Sequence, residues 1–246
     1  DRNGSTRQWG VLCLAYEGVR KYFIKLYLEL LDEYDFDGLF VCFRSQSKPA
    51  EFADQFNFNE PVRRDFQKIY GKDILKDDFN LQDWRDLVGK YITDFLRVLK
   101  NELRKKNRSL SIGLARGDVI GPPLGNTTLQ WREWIQDGLV DNLIINQSSC
   151  QCPSIHHKLW PMHNGSGYVQ NYLDSCNLPP IEKHLNEAYF PIVSKSSANL
   201  YVARQWNQRS EKEEMELLNN PSVSGLVFSS FRFDNLGPLA RNNWVA

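Results

Sequence analysis

Six times along this chain a short apolar run ends in a polar or aromatic cluster, and most of the runs are followed by a helix-length amphipathic stretch. The runs are Trp9–Tyr16, Asp37–Arg44, Leu110–Arg116, Asp141–Gln147, Asn199–Trp206 and Ser224–Phe233. Short apolar runs of this length read as buried strands, and strands alternating with helices imply a parallel sheet of the α/β class. Sheets of this class gather their functional groups at the carboxyl ends of the strands. The last positions of each run are therefore where functional side chains are expected.

The stretches between the runs carry helical periods. One helix is expected over 19–34. A short one opens at Asn59-Glu60-Pro61 and ends near Tyr70-Gly71, with Asn59 as cap, Pro61 in the first turn and Gly71 as terminator. A long helix spans Trp84 to Leu103 and closes on the basic triplet Arg104-Lys105-Lys106, as a helix C-terminus prefers. Further helices are expected over 128–139 and 207–220. The segment 117–125 is too rich in Gly and Pro for a helix and reads as a rigid loop.

With 246 residues, of which 41% are hydrophobic, the chain can bury one sizeable core, and no linker divides it. The 30 basic residues cancel the 30 acidic ones, so no net field draws in nucleic acid or an acidic membrane surface. No apolar run approaches the ~18 residues of a bilayer-spanning helix. Five cysteines, two of them inside strand runs (Cys13 and Cys42), do not describe a disulfide scaffold. A closed (β/α)8 barrel needs eight strands, and six runs are visible. The expectation is one barrel domain over 1–246 that comprises the last six β/α units and lacks the first two strands.

The phrase Phe56-Asn57-Phe58-Asn59-Glu60-Pro61-Val62-Arg63-Arg64-Asp65-Phe66, continuing through Ile69-Tyr70-Gly71-Lys72-Asp73-Ile74, resembles a recurrent phrase of glycoside-hydrolase-like (β/α)8 proteins. The chain is similar in this respect to the glycosyl-hydrolase-like family ten and, more remotely, to β-galactosidase-type barrels. The order of the surrounding blocks agrees from Trp9 to Trp244. The resemblance implies that the six runs are strands three to eight of a TIM-barrel fold and that the activity is glycoside hydrolysis. One departure is plain. Related families often end the fourth strand in acidic residues, whereas here it ends Phe43-Arg44-Ser45-Gln46-Ser47. Asn59-Glu60-Pro61, which looks like an acid/base pair, lies well beyond that strand end and is explained by helix capping.

Glycoside hydrolysis needs two carboxylates, roughly 5 Å apart for retention or roughly 6.5–9.5 Å for inversion. Asp118, just past the third run and near Arg116, is the leading candidate, and its alternative role is to cap the Gly-rich loop. Asp54, Glu60 and Asp234 are candidate partners, while Glu17 more simply serves the helix it begins. The strand ends offer Tyr16, Arg44, Gln46, Arg116, Asn146, Gln147, Arg204, Trp206 and Arg232 as ligand contacts, and His163 or Trp160 could reach the ligand from a loop. Amides and guanidinium groups bond sugar hydroxyls and Trp stacks on sugar faces. Several arginines at strand ends also suit a carboxylate or sulfate on an anionic carbohydrate. The bland alternative is a hydrogen-bonded layer closing the barrel.

Cys150, Cys152, His156, His157, His163 and Cys176 raise a metal-dependent hydrolase as a third option, but neither a Cys-x-x-Cys pair nor a His-Glu-x-x-His helix is present and no metal or cofactor is expected. The function expected is a glycoside hydrolase, with a non-catalytic sugar-binding relative as its main rival.

Overall fold

A computed structural model of the chain describes residues 1–5, 12–43, 56–114, 116–120, 127–146, 179–205 and 210–229. In chain order these form α1 (Glu17–Glu33), β1 (Gly38–Cys42), α2 (Glu60–Tyr70), α3 (Leu81–Lys105) and β2 (Ser109–Gly113). There follow β3 (Val119–Ile120), β4 (Thr127–Thr128), α4 (Trp131–Gln136) and β5 (Asn142–Ile145). The last part holds α5 (Ile181–His184), a π-helical turn (Leu185–Tyr189), α6 (Phe190–Val193), β6 (Asn199–Gln205), α7 (Glu211–Leu218) and β7 (Gly225–Ser229).

Five strands make one parallel sheet in the order β1-β2-β5-β6-β7, the order of the second to sixth apolar runs along the chain. Val41 pairs with Ile112, Ile112 with Leu143 and Leu143 with Leu200, while Ile145 pairs with Val202 and Val202 with Leu226, so one face of the sheet is apolar from edge to edge. This face is turned to the helices. Leu110, Ile112, Leu143, Ile145, Leu200 and Val202 share the main core with Phe95, Leu96 and Leu99 of α3, Trp134 of α4 and Leu217 of α7. The opposite face holds Phe40, Ser111, Asn142, Asn199 and Tyr201. Across it, Asn142 Nδ2 donates to Ser111 Oγ at 2.9 Å and Asn199 Nδ2 donates to Asn142 Oδ1 at 3.0 Å.

α3 is long because it is well capped and buries a continuous stripe. Asn80 Oδ1 accepts from the backbone N–H of Gln82 at 2.8 Å, and Arg104 and Lys105 lie in the last turn. Trp84, Leu87, Val88, Tyr91, Ile92, Phe95, Leu96, Leu99 and Leu103 are all buried along it. Lys100 is also buried, and its ammonium pairs with Asp141, which in addition accepts from the Leu110 N–H at 2.6 Å. A buried charge without such a partner would be strongly unfavourable, so this carboxylate fastens α3 and β2 to the start of β5.

α2 builds a second, smaller core. Asn59 Oδ1 accepts from Val62 N at 3.5 Å, Pro61 lies in the first turn, and Gly71 ends the helix at φ +69. The expected helix start at Asn59-Glu60-Pro61 is therefore seen. Phe58 stacks on Trp84 at 4.9 Å, and Val62 and Phe66 pack against Trp84, Leu87 and Tyr91. The phrase that carries the family resemblance thus docks α2 on α3.

Four expectations need correction. The described part of the first run, 12–16, is loop and turn, because its Tyr16 carbonyl already accepts the N–H groups that begin α1. The Gly/Pro-rich segment contains a short strand, β3, which pairs antiparallel with β4 just beyond it. Thr128 is committed to that pair, so α4 begins only at Trp131. The helical stretch 181–193 was not expected, although Ile181, Leu185, Tyr189 and Val193 recur at four-residue spacing after Pro179-Pro180.

Candidate functional site

Beyond β2 the chain keeps one more ladder bond, Leu114 N to Ile144 O at 2.8 Å, and then turns through Arg116, Gly117 and Asp118. Gly117 adopts φ +103, a backbone region that side chains strongly disfavour. Its N–H donates to the Tyr189 hydroxyl at 3.2 Å. Tyr189 is fully buried, and burial pushes its phenol up to about 12.

Asp118 is the centre of this turn. Its carbonyl accepts from Leu129 N at 2.7 Å, tying it to the strand pair β3–β4. Its Oδ1 accepts from Trp131 Nε1 and from Arg132 Nη1, both at 2.7 Å, while Oδ2 takes neither donor. The Arg132 guanidinium also lies over the Trp131 ring, 4.3 Å from its centroid, and Trp131 stacks on Tyr189 at 4.5 Å. The carboxylate is thus oriented by α4, which is itself seated on the π-helical turn.

Two further groups face this cluster. Arg116 Nη1 donates to the Pro179 carbonyl at 2.7 Å, and burial pulls the guanidinium below its ordinary value. His184 packs edge-on against Tyr189 at 5.2 Å. Burial first, and then the charge of Arg116, hold its imidazole below the usual histidine value, against a smaller opposing pull from Asp118. Its Nδ1 is buried and has no hydrogen-bond partner among the described residues.

The expected site residues fall into three groups. Arg116 and Asp118 both lie in the turn after β2, but the cation bonded to Asp118 is Arg132, while Arg116 donates to the Pro179 carbonyl. Glu60, Tyr16, Asn146 and Arg204 are described but engaged elsewhere. Glu60 begins α2, largely exposed and 3.8 Å from Arg63. Tyr16 precedes α1 and is exposed, and Glu17 beside it pairs with Lys21. Asn146 takes φ +61 and donates from Nδ2 to Ala203 O at 2.9 Å, locking the end of β5 to β6. Arg204 follows Val202 on the helix-covered side of the sheet and pairs with Glu213 in the first turn of α7. That side chain leaves the expected mouth because strand alternation sends it outward.

Arg44, Gln46, Asp54, Gln147, His163, Trp206 and Arg232 lie outside the described residues, as do Trp160, Asp234 and the cysteine- and histidine-bearing loop. Among the described residues no cluster of three potential metal ligands occurs, and no helix is long and apolar enough to cross a membrane.

Trp131, Arg132, His184 and Tyr189 were not expected here. The sequence holds a partial signal for them, since Trp131-Arg132 opens the helix following the Gly/Pro-rich segment. A surface pocket of about 400 Å³ elsewhere, between α2 and the start of α3, is lined by Phe66, Tyr70, Phe79 and Asp78 among others and shares no residue with this cluster.

No known protein-family profile matches the chain. A 67-residue stretch is 34% identical to part of Laccase-2 of Podospora anserina, covering 27% of this chain and 10% of that protein. Among solved structures, the C-terminal domain of a protein named as a chitinase from Desulfitobacterium hafniense DCB-2 aligns over 79% of this chain and 42% of its own, with a TM-score of 0.39 and 12% identity. The second catalytic domain of the Group II chitinase of Ostrinia furnacalis aligns over 78% and 40%, with a TM-score of 0.38 and 10% identity. This chain therefore spans less than half of those chitinase chains.

Proposed function

We propose that the protein is carbohydrate-active, a glycoside hydrolase of the (β/α)8 type working at the carboxyl end of its parallel sheet, with Asp118 at the centre of the site. The observation that carries this is the convergence on one turn after β2 of a carboxylate, a half-buried guanidinium, an imidazole and an indole drawn from three separate parts of the chain. The strand order supports it, since five consecutive parallel strands with helices over one face are what a barrel of this type contains. The phrase through Asn59-Glu60-Pro61 adds the family resemblance.

In this reading Asp118 uses Oδ2 toward the sugar while Trp131 and Arg132 hold Oδ1. Arg116 and His184 bond hydroxyls or substituents of the same ring. The second carboxylate of the reaction is Asp54, with Arg44, Gln46, Gln147, His163, Trp206 and Arg232 as further contacts around the mouth. A binding-only site is the second reading. It is favoured by the double engagement of Asp118 Oδ1, which fixes the carboxylate as a hydrogen-bond acceptor.

Turnover of an oligosaccharide panel by the purified protein and by Asp118→Asn separates the two. The hydrolase reading expects kcat to fall by about 100-fold or more, the usual scale of lost acid–base help. The substituted amide can still accept from Trp131, so the fold is expected to survive. Saccharide binding without turnover in either protein would select the binding-only reading.

A further inference from the structure

We propose that the saccharide taken by this site is anionic, and that Arg116 grips its carboxylate or sulfate; this rests on the carbohydrate reading above. The guanidinium of Arg116 is half-buried, yet the acceptor it meets is a neutral one, the Pro179 carbonyl. A guanidinium has five donors in a planar fork, and a carbonyl at Nη1 leaves a face of that fork for a ligand. Among the described residues no carboxylate pairs with it. Asp118, the acidic neighbour in the same turn, is occupied by Arg132 at 2.7 Å, and Glu187 on the π-helical turn lies 3.8 Å from Lys183.

Among the described residues, two guanidinium groups and one carboxylate gather at this strand end, and the carboxylate is paired with Arg132 rather than Arg116. A cation in such a place is favoured when an anion completes it, because partial burial weakens the screening by water.

His184 supplies a second, independent observation. Among the described residues its buried Nδ1 has no partner, and a buried polar nitrogen is unfavourable until something bonds it. In the proposed complex, the anionic oxygen held by Arg116 accepts from Nδ1 of the neutral ring. The π-helical turn that begins just after His184 fits this role, since such turns recur at functional sites.

Calorimetric titration of the full chain with three size-matched oligosaccharides tests the inference: one neutral, one bearing a uronate and one bearing a sulfate. At least one charged probe is expected to bind about tenfold or more tightly than the neutral one, the scale of a charge-assisted hydrogen bond. That preference should shrink as salt rises, and Arg116→Gln should bring the charged probe down to the affinity of the neutral one. The uronate and sulfate arms identify which anion is held.

Equal affinity of wild-type protein for all three probes, or a preference that persists in Arg116→Gln, would overturn the inference. The salt series on wild-type protein keeps this outcome available even if the variant folds poorly. Tight binding of the neutral probe alone would refute the anion and leave the carbohydrate reading standing. Failure of all three to bind would count against both.

Discussion

Asp73 and Asp118 show how differently this chain uses two carboxylates. Asp73 is almost fully buried at the end of α2 and receives a fork from Arg63, with Nε to Oδ1 at 2.8 Å and Nη2 to Oδ2 at 2.6 Å, plus the Leu75 N–H. The Arg63 bonds above all hold its carboxyl down to about 2. A depressed folded pKa stabilises the fold above the unfolded value of about 3.9, and this contribution is lost as pH falls toward 2. Asp73→Asn is accordingly expected to flatten the acid limb of the stability curve between about pH 4 and about pH 2, measured by urea titration at several pH values. An acid limb identical to wild type would exclude this pair as a source of acid sensitivity.

Asp118, by contrast, keeps one oxygen clear of its two donors and sits at a strand end. Its position was legible because it follows an apolar run. The roles of Tyr189 and His184 were not, because only the fold brings a residue so distant in sequence to Gly117.

Among the elements, α3 carries the most information per residue, and one of its positions reverses an ordinary rule. Gly89 lies mid-helix, where replacement by Ala normally stabilises by about 1 kcal/mol. Here a Cβ would stand 2.0 Å from the carbonyl oxygen of Thr128 in β4. Gly89→Ala is therefore expected to destabilise, visible as a lower Tm, and to disturb the β3–β4 pair that positions Asp118. A higher Tm would show that the strand pair does not press on the helix.

Helix existence was readable from the 3.6-residue period in α1 and α3, from the cap and stop residues Asn59, Pro61 and Gly71 in α2, and from the charged run ending at Asn219-Asn220-Pro221 in α7. The limits of α4 were not, because Thr128 looks like a helix start until its pairing with Val119 is known. The arginines at strand ends divide in the same way. Arg116 lies past the last ladder bond of its strand and joins the site, whereas Arg204 is still within β6 and alternation sends it to the helices. Position near a strand end was visible in the sequence, but the strand's last residue was not.

At the scale of the molecule, the sheet has two unlike faces. One is closed by helices around Leu99, Leu143 and Trp134, and the other presents Ser111, Asn142 and Asn199 with Phe40 left 54% exposed. Leu99→Ala, in the closed half, is expected to cost about 2–5 kcal/mol in urea unfolding, the usual range for a buried leucine. A cost well below that range would mean the core can collapse around the gap.

The parallel order of five strands followed from the second to sixth runs, whereas the described part of the first run, 12–16, is loop and turn because its end is spent on starting α1. The site claim meets its most direct test in a crystal structure of the protein soaked with an oligosaccharide that it binds. The account predicts sugar oxygens within hydrogen-bond distance of Asp118 Oδ2 and the Arg116 guanidinium. Sugar seated instead in the pocket of Phe66, Tyr70 and Phe79, with the turn after β2 empty, would contradict it.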